Sequence, residues 1–255
     1  MAKHDRILLT GGSGNLGQAV LTSGLFPGIL VPTREEMDIT DEKAVAIFFE
    51  SNNPDVVIHC AAVVKMTEPE QNPAKAMGVN IVGTCNLVKQ AIRAEKKNGK
   101  SIRFIYISTD GVYPGTEGNY CEKDSVIPYN RYGWSKLGGE CAVNLLSNFC
   151  VIRTSFFDSQ NIKHEYYAAD KYSSRVPIDY LPKAIAFLID DDFIGTVNVG
   201  GKKESDYEKY KRIKPDIKPC VYEDIAQKSP FRISRDASMN ISVWKELAKG
   251  EKSLF

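Results

Sequence analysis

The chain has 255 residues, 43% hydrophobic and 25% charged, with a formal net charge of +1, an ordinary globular composition that gives no electrostatic case for nucleic acid or an anionic membrane. No apolar run approaches the roughly 20 residues of a membrane span, and the first residues lead into Ile7-Leu8-Leu9 without a signal-peptide pattern. Six scattered cysteines, at 60, 85, 121, 141, 150 and 220, form no C-x-x-C pair and fit a reduced, cytoplasmic protein without zinc.

Residues 6–10 read as a short apolar strand. Gly11-Gly12-Ser13-Gly14-Asn15-Leu16-Gly17 follows, and then a helix over about 16–25. Strand, glycine turn and helix in this order are the context a dinucleotide fingerprint needs. Glycines let the backbone turn tightly and approach a pyrophosphate, whose charge meets the N–H groups at the helix start. The alternative is a plain glycine turn between strand and helix.

Residues 29–32 are expected to be a second strand, whose end should meet the adenosine ribose. Arg34 there suits the 2′-phosphate of NADP, whereas Glu35 or Glu36 would take the ribose hydroxyl of NAD. Met37-Asp38-Ile39 reads as a very short third strand. Asp38 is placed either to accept from the adenine amine or to belong to a helix cap with Thr40 and Asp41. A helix over 41–51 and a doubly buried strand over 55–62 come next. Small residues Cys60, Ala61 and Ala62 would let a cofactor lie against that strand end. His59, inside the apolar run, reads as a satisfied core histidine. A long helix is expected over about 73–97.

The apolar run 102–107 reads as a buried strand ending in Ser108-Thr109-Asp110. After a loop rich in proline and glycine, a helix over about 130–146 carries Tyr132-Gly-Trp-Ser-Lys136. Tyrosine and lysine four apart share one helix face. There the ammonium would favour the tyrosinate form and tune a phenol for proton transfer to or from a carbonyl oxygen that Thr109 also holds. Tyr167/Lys171, Tyr207/Lys211 and Tyr210/Lys214 match the same spacing, but they lack the strand and loop context and read as solvated surface. Residues 149–153 make a sixth strand. The repeated alternation predicts a doubly wound parallel α/β sheet of the Rossmann type over 1–155. Residues 156–255 are expected to form a small substrate-binding lobe interleaved with it. They hold an amphipathic helix over 178–189, a strand over 196–199, a charged helix over 205–213 and a last helix over 241–249 with Trp244 and Leu247 inward.

The ordered set Thr10 to Gly17, Cys60-Ala-Ala62, Ser108-Thr-Asp110 with Val112-Tyr113, Tyr132-x-x-x-Lys136 and Arg153-Thr154 resembles the extended short-chain dehydrogenase/reductases. Within them it resembles most the dTDP-4-dehydrorhamnose reductase group, which shares the Asp-Ile-Thr-Asp run of 38–41. The resemblance implies catalytic roles for Thr109, Tyr132 and Lys136 and a structural or proton-relay role for Asn80. It also implies that an NADP or NAD cofactor contacts Gly11, Gly14, Asn15, Leu16, Gly17, Arg34, Asp38, Ile39, Cys60, Ala61, Ala62, Tyr132 and Lys136. The expected activity is NAD(P)H-dependent reduction of a nucleotide-linked 4-keto sugar. The alternatives are a sugar-nucleotide epimerase and a non-catalytic NADP-binding subunit resembling the methionine adenosyltransferase β subunit. Asp110-Gly111, where dehydratases of the superfamily carry Asp-Glu, counts against dehydration. The segment 153–177 is shorter than in typical sugar-nucleotide reductases.

A homodimer is also expected, built from the helices over 73–97 and 130–146. Met77, Ile81, Cys85, Val88 and Ile92 form the stripe of the first helix, and Leu137, Cys141 and Leu145 that of the second.

Overall fold

Five short runs rich in β-branched and aromatic residues pair side by side as parallel strands. The structure, a computed structural model describing residues 6–251 and 254, orders them β1 (Ile7–Thr10), β2 (Val56–His59), β3 (Arg103–Thr109), β4 (Phe149–Thr154) and β5 (Gly195–Val199). All four pairings are parallel. Every residue of β2, β3 and β4 is buried, as strands covered by helices on both faces must be.

Because successive side chains point to opposite faces, each strand feeds two cores. Leu9, Ile58, Ile105, Ile152 and Val197 pack with helices α1 (Asn15–Thr22) and α5 (Leu181–Asp190) and with Trp244. Leu8, Val57, Phe104, Tyr106 and Val151 pack on the other face, against Val45 and Phe49 of α2 (Glu42–Asn52). Two longer helices join them there. One, α3, runs as Pro73–Ala76, a π-helical stretch Met77–Gly83 and Thr84–Asn98; the other, α4, spans Arg131–Val143. This is the doubly wound α/β sheet expected from the sequence.

Two expected strands are corrected. Residues 29–32 supply a single rung: Leu30 N–H donates to Ile7 O at 2.8 Å, and Leu9 N–H donates to Leu30 O at 2.8 Å. Gly28 at φ +70° and Pro32, which has no N–H, bound the run and prevent a longer ladder. Residues 37–39 are a turn, because the Asp38 carboxylate accepts from Thr40 N–H at 2.9 Å and satisfies the backbone locally. Met37 and Ile39 still bury their side chains in the second core.

Beyond β4 the chain divides. Helix α5 and strand β5 return to the sheet, while the other segments make small two-strand pairs over the carboxyl ends of the strands. Phe156–Phe157 pairs with Val176–Pro177, Tyr166–Ala168 with Lys218–Cys220, and Tyr172–Ser173 with Glu204–Ser205. The expected helix over 205–213 is Asp206–Lys211, and the last is Ser242–Leu247. From it Trp244 Nε1–H donates to the Tyr180 hydroxyl at 2.8 Å, tying this helix to the turn that opens α5.

Candidate active site

The glycine turn after β1 is shaped by contacts that only glycine permits. Gly11 has φ +75°, and a Cβ there would lie 2.5 Å from Ala61 N. A Cβ on Gly17 would lie 2.2 Å from Gly11 O, so α1 can seat against the turn only with hydrogen at that position. A cleft of about 550 Å³ opens beside this turn, lined by Gly11, Ser13, Gly14, Arg34, Asp38, Ile39, Cys60, Ala61, Ala62 and Val63, among others. Ser13, Gly14 and Asn15 are exposed at the N-terminus of α1, where unpaired backbone N–H groups favour an anion. Leu16 turns its side chain into the core, so only its backbone faces outward.

Arg34 lines the cleft, and neither Glu35 nor Glu36 does. Glu36 is tied into the turn, accepting from Thr33 N–H at 2.7 Å. Arg34 Nε–H donates to Asp38 at 2.8 Å while its side chain stays 73% exposed, leaving the guanidinium free to meet an incoming phosphate. Burial acts against the charge of Asp38, but the Thr40 N–H and Arg34 bonds hold its pKa below the ordinary value. The helix cap belongs to Asp41, which accepts from Lys43 N–H at 2.8 Å. Sequence reasoning missed Ser13, Gln18, Val31, Met37, Val63, Lys75 and Val79 as lining residues. Only Ser13 carried a signal, from its place within the glycine run.

A second group is built where β3 stops; neither Thr109, Tyr132 and Lys136 there nor Asn15, Leu16 and Gly17 line the cleft itself. Thr109 Oγ1–H donates to the Asp110 carboxylate at 3.1 Å, and Gly111 N–H donates to Thr109 Oγ1 at 3.0 Å. Asn130 caps α4 by accepting from Gly133 N–H at 2.9 Å. A Cβ on Gly133 would lie 2.2 Å from Gly111 O, so the first turn of α4 docks directly on the turn after β3. That docking sets Tyr132, on the first turn of α4, beside the end of β3, where the Thr109 side chain acts on its hydroxyl. Lys136, one helical turn on, is buried with its ammonium 4.0 Å from the centroid of the Tyr106 ring.

The electrostatics differ from the expectation of a tyrosinate favoured by lysine. Burial, then Asp110 and Tyr129, push the Tyr132 phenol above its ordinary pKa, with only the Thr109 bond acting against them. Burial brings Lys136 down to about 7, opposed by Glu140 and Cys60. Both side chains are therefore pushed toward their neutral forms, because desolvation is the largest influence on each.

Glu140 was missed by sequence reasoning, although a carboxylate four residues after Lys136 on the same helix face is a readable signal. It accepts from Arg153 Nε–H at 3.1 Å, from Arg153 Nη2–H at 2.8 Å and from Ser108 Oγ–H at 2.5 Å. Arg153 Nη1–H also reaches the Tyr113 hydroxyl at 2.9 Å. Asn80, in the π-helical stretch, accepts from Val63 N–H at 2.7 Å and donates to Val63 O at 3.1 Å and Ser135 Oγ at 2.8 Å, stitching the cleft wall to α4. His59 is enclosed: its ring nitrogens lie 2.7 Å from Thr10 Oγ1 and 2.9 Å from Thr84 Oγ1, and burial keeps it neutral. Of the other tyrosine–lysine pairs, Tyr207 and Lys211 meet on the exposed surface, as expected. The expectation of solvated surface is corrected for the other two: Tyr210 is buried with its ring tilted against that of Tyr167, and Lys171 is buried because Asp206 pairs with it.

Residues 5–167 match the family described as the RmlD substrate binding domain. The chain belongs to this family. A dTDP-4-keto-6-deoxy-D-glucose reductase from Streptomyces niveus, similar to this RmlD-family chain, is 35% identical over 157 residues, 60% of this chain and 52% of that protein. The methionine adenosyltransferase 2 subunit beta of Mus musculus is 35% identical over 147 residues, 54% of this chain and 42% of its own. The chain spans about half the length of the curated relatives it matches. Among solved structures, a dTDP-4-dehydrorhamnose reductase ortholog from Clostridium acetobutylicum superposes with a TM-score of 0.84 at 26% identity, covering 97% of this chain and 94% of that one.

Proposed function

We propose that this RmlD-family chain is an NADP(H)-dependent reductase of a nucleotide-linked 4-keto sugar. The observation that carries the reading is the docking of the first turn of α4, with Tyr132 and, one turn on, Lys136, against the turn that follows Thr109 at the carboxyl end of β3. The cradle of Gly11, Gly14 and Gly17 would hold the pyrophosphate and Arg34 the 2′-phosphate. Cys60 to Ala62 would lie along the cofactor's body, and Lys136 would grip the nicotinamide ribose. The bound nicotinamide supplies the hydride. This chain's residues position the substrate carbonyl and handle its proton. Thr109 donates a hydrogen bond to the carbonyl oxygen, and Tyr132 hands its phenolic proton to that oxygen as negative charge develops. A phenol held above its ordinary pKa remains protonated at neutral pH, which suits a donor working in the direction of reduction. The residues after 155 that leave the sheet would form the substrate lobe.

Tyr132→Phe tests the reading. Cofactor affinity should stay near wild type while reduction falls by at least about 10²-fold, the scale of lost general acid catalysis. Undiminished turnover in that variant would sink the proposal. The similarity to the β subunit motivates a second reading, a cofactor-binding subunit without turnover. Copurification with an unrelated enzyme and no NADPH oxidation on any keto sugar would favour it.

We also propose a homodimer, on a face different from the one the sequence suggests. Leu87 and Val88 point into the sheet core, and Leu137 packs on the buried cluster of Val112 and Tyr113. The exposed apolar residues are Met77 and Val82 on α3, Trp134 on α4 at 53% and Leu145 just past its end at 75%. Trp134, Cys141 and Leu145 follow helical spacing, whereas Gly138 lies against Ile81 of α3, where a Cβ would come within 2.7 Å.

A further inference from the structure

The lobe beside the reaction centre holds more buried positive charge than its carboxylates balance. Val176 N–H donates to Ser155 O at 3.0 Å, which sets Arg175 beside Ser155, just past the end of β4. Arg175 Nε–H donates to Ser155 Oγ at 3.3 Å and Nη1–H to the Tyr210 hydroxyl at 3.0 Å. Ser155 follows Thr154, the register partner of Thr109 across the β3–β4 ladder, and Asp110, which accepts from Thr109, comes under the charge of Arg175. Arg175 thus stands close to the catalytic threonine. It is half-buried, as are Tyr129, Tyr132 and Ser155, so these residues border open space.

Two further cations lie behind it. Lys171 pairs with Asp206 at 2.8 Å, and Lys209 donates to the Ser173 hydroxyl at 2.8 Å; both lysines are buried. Three cations, Lys171, Arg175 and Lys209, are set against Asp110, Asp206 and a shared Glu204, which also supports the charge of Lys209. Glu204 is already committed to Arg212 at 2.6 Å and Lys202 at 3.0 Å. Burial raises the pKa of Asp110, making it the weaker counter-charge. Burial and then Arg175 bring Lys209 down to about 8, as expected of an ammonium whose hydrogen-bond partner is a neutral hydroxyl. Buried charge in excess is costly unless an opposite charge arrives. Among the described residues no side chain accepts from Arg175 Nη2, and a guanidinium edge of that kind suits two oxygens of one anion. The ring of Tyr210 packs tilted against Tyr167 at 4.3 Å and edge-on to Phe157 at 5.4 Å, which limits screening by water.

We propose that Arg175, backed by Lys171 and Lys209, is the subsite that takes an oxyanion carried by the substrate about one sugar ring from its reacting carbonyl group. The proposal rests on the reductase reading for which carbonyl is meant, but the anion site itself is read by binding. The shared chemistry is that of a phosphate on the anomeric oxygen or a carboxylate on the sugar.

The test is calorimetric titration of the NADP-loaded protein with glucose 1-phosphate, glucuronate and glucose. One of the anionic sugars should bind at least about tenfold more tightly than glucose, and Arg175→Gln should remove that advantage while leaving NADP affinity unchanged. Glucose 1-phosphate as the winner assigns the anion to the anomeric phosphate, and glucuronate assigns it to a sugar carboxylate. Lys209→Met, which keeps the volume and removes the charge, should weaken the same ligand severalfold and decides the matter if Arg175→Gln does not fold. Equal binding of all three sugars, or an advantage that survives in a folded variant, overturns the proposal. Absence of NADPH oxidation with a keto sugar would refute the reductase reading alone and leave the anion site standing.

Discussion

Replacing Lys136 by methionine should stabilise the protein without cofactor while abolishing its activity. The side chain is buried at 2% exposure, and burial brings its pKa from the ordinary 10.5 to about 7. At roughly 1.4 kcal/mol for each tenfold step, that depression corresponds to a cost of about 5 kcal/mol for the buried ammonium. The ring of Tyr106, 4.0 Å away, offsets about 2 kcal/mol of this. The net expectation is about 3 kcal/mol in favour of Lys136→Met, or roughly 6–12 °C in Tm for a chain of this size. An unfolded lysine keeps its proton to about pH 10.5, whereas folded Lys136 releases it near 7. Between those values the unfolded chain binds more protons, so wild type gains stability as pH rises. The advantage of the variant should therefore be full below pH 7 and vanish near pH 10.5. Denaturant titrations of both proteins without cofactor at pH 6, 8 and 10 measure it, and other titrating groups cancel in the difference. A variant no more stable than wild type at pH 6, or an advantage constant with pH, would refute the reasoning.

Other substitutions test the remaining parts of the site. Gly17→Ala places a methyl group 2.2 Å from Gly11 O, so it should lower Tm and weaken cofactor binding together; fluorescence titration with NADPH on folded variant reads the second effect. Arg34→Ala should reduce affinity for NADPH more than for NADH, and an unchanged ratio of the two would make Arg34 a bystander. Leu145→Arg should dissolve a dimer seen by sedimentation at micromolar concentration without lowering Tm, since Leu145 is exposed. A strictly monomeric wild type of 28.4 kDa would remove the dimer altogether.

Much of this protein is legible in local pattern. The apolar runs that became β2, β3 and β4 read as doubly buried strands because burial on both faces demands unbroken hydrophobicity, which a short window reveals. The glycine spacing of 11, 14 and 17 and the four-residue step from Tyr132 to Lys136 are equally local, since turn geometry and helix periodicity lie within a few residues. Residues 29–32 show where local pattern stops. Their composition suits a strand, but the number of rungs depends on what Gly28 and Pro32 leave for β1 to pair with. The dimer face is a second case. Met77 to Ile92 form one stripe on a helical projection, yet the π-helical stretch at Met77–Gly83 rotates one end of it relative to the other.

By itself the sequence determined the doubly buried strands and the helices between them, the glycine turn and the candidate catalytic pair, because each is set by neighbours along the chain. Only the tertiary structure decided the charge states and the company of those groups. Lys136 meets the ring of Tyr106, Glu140 meets Arg153, and Asp110 comes under the influence of Arg175 from 65 positions away. The physical reason is that a pKa follows from desolvation and from charges brought near through space, and both depend on which distant segments close over a side chain.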